Sequence, residues 1–338
     1  MKLNLNDLNK ITYGVDRIVE EDGFIYFHRF SEEQVKYYDN KNAIWGLKAR
    51  STSGIKLRFK TNSKYFKLKI NADEYNGVRY FSFDVYVNGK YLSSLTNYEQ
   101  GSLPEMYYYT EPCPIGDFEK TFDLGDGEKT VFVYFPWNAV IKFYSIELSD
   151  GAYFEPVPYS GKALIYGDSI SQGYYVQTQK KRYISQLTEW LDLEEVSKAI
   201  GGEKFCPEVL DLKETCNPDL VIVSYGSNDW YFKTRNEFYK DADEFLNILS
   251  AKYNNRKIIV LGPIWRADLN EPREFGDFND VGLVLGEICA KYKNLNYINA
   301  RRFVPELPEY FGDGYLHPND KGSDKYFESL KQEVEKIL

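Results

Sequence analysis

The chain has 338 residues and a net charge of −9 at pH 7. That acidity argues against nucleic acid or an anionic membrane surface as its main partner, because both recruit basic faces. The length exceeds the roughly 250–300 residues that a single core sustains, so two domains are expected. Hydrophobic and charged fractions of 43% and 28% are those of a soluble globular protein.

The N-terminus, Met1-Lys-Leu-Asn-Leu-Asn-Asp-Leu-Asn-Lys10, lacks the apolar stretch of a signal peptide. No later segment is long and apolar enough to span a bilayer, and a cytoplasmic location is expected. The cysteines Cys113, Cys206, Cys216 and Cys289 form no Cys-x-x-Cys pair. They read as free thiols in a reducing compartment, with no histidine near Cys206 and Cys216 to complete a zinc set. The 30 tyrosines are spread along the chain and read first as strand residues.

Residues 1 to 150 read as a β-sandwich of jelly-roll type. Apolar and polar residues alternate over 53–60, 65–70, 81–87, 130–135 and 140–148, the period of strands with one buried face. Asn88-Gly89 and Gly125-Asp-Gly127 mark turns. No sustained helical period is expected in this half, which is taken as an accessory domain. Residues 151–161 follow as a linker containing Pro156, Pro158 and two glycines.

From 162 to 338 the pattern changes. Short apolar runs at 163–166, 220–224, 257–261 and 295–298, with a weaker one at 194–198, read as buried strands. Helical segments near 180–191, 234–252, 279–292 and 319–337 alternate with them. This predicts an α/β/α domain around a parallel, doubly wound five-stranded sheet. Functional residues of such sheets gather beyond the carboxyl ends of the strands. Gly167-Asp-Ser169, Gly201-Gly202 and Gly226-Ser-Asn228-Asp229 each follow a strand, and His317 precedes the final helix.

The chain has only two histidines. His28 lies in the aromatic run Phe24-Ile-Tyr-Phe-His28, where a structural role is expected. His317 lies in Asp313-Gly-Tyr-Leu-His317-Pro and is the natural base for a serine hydroxyl. Ser169, at the end of an apolar strand, is the candidate nucleophile.

Four blocks in this order resemble the SGNH or GDSL hydrolases over residues 162–338. They are Ile165-Tyr-Gly-Asp-Ser169-Ile-Ser-Gln-Gly173, Ser197-Lys-Ala-Ile-Gly-Gly202, Tyr225-Gly-Ser-Asn228-Asp229 and Asp313-Gly-Tyr-Leu-His317-Pro. The resemblance implies a flavodoxin-like sheet, Ser169 as nucleophile, His317 as base, and an oxyanion hole from the N–H groups of Ser169 and Gly202 with the Asn228 amide. It implies no cofactor and no metal. The family places its acid three residues before the histidine, where this chain has Gly314. Asp313, four before, is the expected orienter through a one-residue bulge, the alternative being a backbone carbonyl and a Ser–His dyad.

Around this site Asp168 is expected to brace the turn and Asp229 to lie behind it. Trp230 and Trp265 are candidate substrate contacts, the alternative for Trp230 being simple packing. Trp45, Trp137 and Arg29 of the first half read as sandwich core or loop residues. A sandwich followed by such a domain is similar to carbohydrate esterases of the family 2 type and to related acyltransferases. The expected activity is therefore hydrolysis of short acyl esters, acetyl above all, of a sugar or oligosaccharide. The alternatives are an acyltransferase with the same Ser–His pair and an inactive carbohydrate-binding protein.

Overall fold

The computed structural model describes residues 1–99, 101–103 and 113–338. Among these the chain divides into two compact units. One takes in the residues up to Ser160 together with Gln177–Lys180; the other comprises Gly161–Val176 and Lys181–Leu338.

The first unit contains two antiparallel sheets. One runs Thr12–Tyr13, Lys56–Thr61, Lys129–Tyr134, Ser82–Val87, Lys90–Thr96, with Phe154–Pro156 also pairing with Lys56–Thr61. The other runs Arg17–Glu21, Phe24–His28, Ala139–Leu148, Tyr65–Tyr75, Gly116–Asp123. Inward residues of both, such as Leu57, Phe59 and Val133 from the first and Phe66, Leu68 and Phe143 from the second, belong to one buried cluster. That is sandwich packing, in which each strand contributes alternate side chains to a shared core.

Among the described residues this half also contains three short helices, which no sustained helical period announces. Helices cover Leu5–Ile11, Glu32–Lys41 and Ala43–Arg50. They are short and specified at their starts rather than by long periodicity. Asn4 with Asp7, and Ser31 with Gln34, form capping boxes, and the Asn42 side chain accepts from the N–H groups of Ile44 and Trp45. Each such cap satisfies backbone donors that a helix terminus otherwise leaves open.

The second unit is a five-stranded parallel sheet in the order Leu193–Ser197, Gly161–Gly167, Leu220–Ser224, Lys257–Leu261, Leu295–Ile298. Numbered along the chain this is 2-1-3-4-5, the flavodoxin-like order. Ala163, Ile165, Ile222 and Ile259 pack in one cluster with Ile184 and Leu187 of helix Tyr183–Trp190 and Leu330 and Val334 of helix Asp320–Ile337. The alternate residues Leu164, Tyr166, Val221 and Val223 are also buried, with Tyr166 edge-on to Phe245 of helix Arg235–Lys252. Burial on both faces explains why these strands read as unbroken apolar runs. No helix of the described residues is long and apolar enough to cross a membrane. All four cysteines are free thiols.

Candidate active site

Gly161–Gly167 ends in a sharp turn into the single helical turn Ser169–Gln172. Gly167 is required there, because a Cβ would fall 2.5 Å from Ser171 Oγ. Asp168 caps the turn by accepting the Ile170 N–H at 2.9 Å. Burial raises the Asp168 carboxyl to about 6, partly offset by the Ile170 hydrogen bond and the charge of His317.

Ser169 Oγ lies 2.8 Å from His317 Nε2. On the other side of the ring, Nδ1 lies 2.6 Å from Asp313 Oδ2. Asp313 Oδ1 accepts three backbone N–H groups, from Tyr315 and Leu316 at 2.9 Å and from His317 at 3.1 Å. Gly314, with φ +65°, supplies the left-handed residue that lets the chain curl around the carboxylate. The loop is closed by the Gly312 N–H donating to the His317 carbonyl at 2.8 Å and by the bridge between Phe311 and Pro318. The departure from the family spacing is therefore accommodated by one extra residue in a loop wrapped on its own acid. Burial alone would raise the Asp313 pKa, but the charge of His317, its hydrogen bond and the backbone donors hold it at about 2.

With Nδ1 donating to a carboxylate, Nε2 is left to accept the serine proton. Beside this pair, Ile200-Gly-Gly-Glu203 forms a turn in which Gly202 takes φ +88° and the Glu203 N–H donates to the Ile200 carbonyl. Gln172 Oε1 accepts the Gly201 N–H at 2.7 Å and so ties this turn to the segment that carries Ser169. Among the described residues no partner takes the Ser169 or Gly202 N–H. Asn228 lies in the first turn of helix Ser227–Phe232, and one proton of its amide goes to the Glu203 carbonyl at 3.1 Å. That bond orients the amide and leaves its second proton for another acceptor.

Asp229 is fully buried, accepts from the Phe205 N–H at 3.1 Å and pairs with Lys233 at 2.9 Å. Burial raises its carboxyl to about 6, against the pull of Lys233. Trp230 corrects an expectation. Its side chain is fully buried, edge-on to Phe278, with Nε1 donating to the Gly276 carbonyl. It offers no surface to a substrate. Trp265 is only partly buried, against Phe311 at 4.9 Å between centroids.

In the first unit Trp137 is core, Trp45 stacks on Tyr38, and buried Arg29 donates to the carbonyls of Ser51 and Lys48. Two residues went unnoticed in the sequence: Tyr174 and Tyr175, whose rings both lie against the His317 imidazole. Their proximity to Ser169 in Gly173-Tyr-Tyr175 was the available signal. Among the described residues no group of three or more His, Cys, Asp or Glu is placed to hold a metal ion.

A strand-end serine, a histidine and a carboxylate stand in hydrogen-bonded sequence on a flavodoxin-like sheet, an arrangement able to support acyl transfer. The family can be named as well. Residues 165–325 match the GDSL-like Lipase/Acylhydrolase family, and the second unit is a domain of that family.

Solved structures share the fold over most or all of the chain. A salicylyl-acyltransferase from a tetracycline biosynthetic pathway is 17% identical, with TM-score 0.80 over 100% of this chain and 97% of its own. A family two carbohydrate esterase from Cellvibrio japonicus is 13% identical, with TM-score 0.63 over 100% and 99%. Another from Clostridium thermocellum, in complex with cellohexaose, is 14% identical, with TM-score 0.63 over 85% and 94%. No curated protein sequence matches the chain.

Proposed function

We propose that the protein is a serine esterase that removes short acyl groups, acetyl in particular, from a carbohydrate through an acyl-enzyme on Ser169. The observation that carries this reading is the continuous contact from Ser169 Oγ through His317 to Asp313, at 2.8 and 2.6 Å. Ser169 Oγ attacks the ester carbonyl as its proton passes to His317 Nε2. The resulting imidazolium is held by the Asp313 carboxylate. Negative charge on the former carbonyl oxygen is met by the Ser169 and Gly202 N–H groups and the free proton of the Asn228 amide. Collapse expels the alcohol, which takes the proton from Nε2. Water then repeats the sequence on the acyl-enzyme and releases the acid. The choice of acetyl and of a sugar draws on the likeness to the family two carbohydrate esterases.

A second reading is supported by the fold shared with the salicylyl-acyltransferase. In it an acceptor alcohol, not water, takes the acyl group from Ser169. Turnover of p-nitrophenyl acetate, butyrate and longer esters, beside acetylated oligosaccharides and with added acceptor alcohols, separates these readings. Hydrolysis of acetyl esters insensitive to acceptors supports the esterase. Acyl transfer outpacing hydrolysis replaces it with the transferase, and preference for long chains removes the acetyl assignment. No turnover, with no labelling of Ser169 by a fluorophosphonate, leaves an inactive carbohydrate-binding protein.

A further inference from the structure

His317 has aromatic neighbours that the acyl-transfer scheme does not use. The ring centroids of Tyr174 and Tyr175 each lie 5.4 Å from that of the imidazole, at interplanar angles of 29° and 26°. Both side chains are buried. Tyr175 holds φ +66°, a left-handed backbone that a bulky residue adopts only at a cost. The opposing loop makes room for it, since a Cβ on Gly312 would fall 2.4 Å from Tyr175 Cβ. Tyr174 reaches further, its hydroxyl resting where a Cβ on Gly201 would be 2.6 Å away. One ring thus touches both the base and the turn that carries Gly202.

The face of an aromatic ring is electronegative and attracts a cation within about 6 Å of its centroid, more strongly when water is excluded. A neutral imidazole gains much less from the same contact. We propose that Tyr174 and Tyr175 are positioning residues whose ring faces stabilise the imidazolium form of His317. The proposal rests on Ser169 and His317 being the acyl-transfer pair. The rings favour the state in which Nε2 holds the Ser169 proton and lose that advantage when the proton leaves with the alcohol. The other titratable groups around His317 are Asp313 on Nδ1 and buried Asp168, whose charges also favour the cation. Anything that favours the cation raises the His317 pKa, so removing a ring face lowers it.

The test is an imidazole NMR titration, uncluttered because the only other histidine is His28. Tyr174→Leu and Tyr175→Leu are each expected to lower the His317 pKa by about half a unit to one unit. Tyr174→Phe and Tyr175→Phe, which keep the ring, are expected to titrate with the parent. Phenylalanines carrying one, two or three ring fluorines at position 174 keep the packing but drain the face. With them the pKa is expected to fall at each step, which covers a leucine variant that does not fold. In kcat/KM for p-nitrophenyl acetate, the leucine variants should show a lower plateau and an acid limb moved to lower pH. A purely structural role lowers the plateau and leaves the limb in place. A His317 pKa unmoved by leucine and by fluorination overturns the proposal, as do phenylalanine variants that fall as far as leucine. Absence of fluorophosphonate labelling at Ser169 in the parent protein defeats the esterase reading instead, because the titration needs no turnover.

Discussion

The two histidines occupy opposite environments, and the contrast shows what makes an imidazole useful. His28 ends the strand Phe24–His28 of the antiparallel unit, and its Nδ1 is buried with no partner among the described residues. Burial, with the charges of Arg17 and Arg50, pushes its pKa down to about 4, so it stays neutral through the physiological range. His317 sits on a loop beyond the parallel sheet with an acid on one nitrogen and a hydroxyl on the other. The same side chain is packing material in one place and, in the proposed mechanism, the proton carrier in the other. Its partners make the difference.

The strongest way to break this contrast is to remove the hydroxyl. Ser169→Ala is expected to abolish ester turnover, by about 10⁶-fold if the residues act as a unit, and to abolish fluorophosphonate labelling. Asp313→Asn keeps the shape of the loop but forfeits the charge beside Nδ1. A loss on the order of 10⁴-fold in kcat is expected, measured on p-nitrophenyl acetate; nearly unchanged turnover would return the site to a Ser–His dyad. Asn228→Ala is expected to cost about 10²–10³-fold in kcat with little change in KM, as for loss of one oxyanion donor.

A smaller effect concerns stability. The Asp168 carboxyl is raised to about 6 by burial. Below about pH 4 the folded and unfolded states both carry its proton, and nothing is lost. As pH rises from about 4 to about 6 the unfolded state releases this proton while the folded state keeps it, so stability falls across that window and is level above it. Asp168→Asn retains an oxygen for the Ile170 N–H. It is expected to be more stable than the parent by up to about 3 kcal/mol at about pH 8, and by nearly nothing at about pH 4, in urea unfolding. His28→Gln, at the other pole of the comparison, is expected to leave kcat/KM within about twofold, since His28 has no part in the proposed proton transfer.

Much of the parallel unit was legible because burial on both faces writes its strands as continuous apolar runs, and strand ends are where sites collect. The Asp313–His317 contact was harder, since spacing alone does not show a loop curling around its acid through a left-handed Gly314. Tyr174 and Tyr175 offered only their nearness to Ser169 in the sequence, which does not show that the chain turns through a positive φ at Tyr175. Trp230 was misjudged because its indole finds a partner in the Gly276 carbonyl and so can be buried whole. In the antiparallel unit five strands, Lys56–Thr61, Tyr65–Tyr75, Ser82–Val87, Lys129–Tyr134 and Ala139–Leu148, were legible by alternation, whereas Arg17–Glu21, Lys90–Thr96 and Gly116–Asp123 were not read. The helices Glu32–Lys41 and Ala43–Arg50 are too short for their period to stand out. The capping pair Ser31 and Gln34 was the legible sign of the first.

The most direct test of the central claim is mass-spectrometric mapping of fluorophosphonate adducts across the chain, in the parent and in His317→Ala. One adduct per chain, located on Ser169 and lost in His317→Ala, is the predicted result. No adduct, an adduct on another serine, or labelling of Ser169 undiminished without His317 would contradict it.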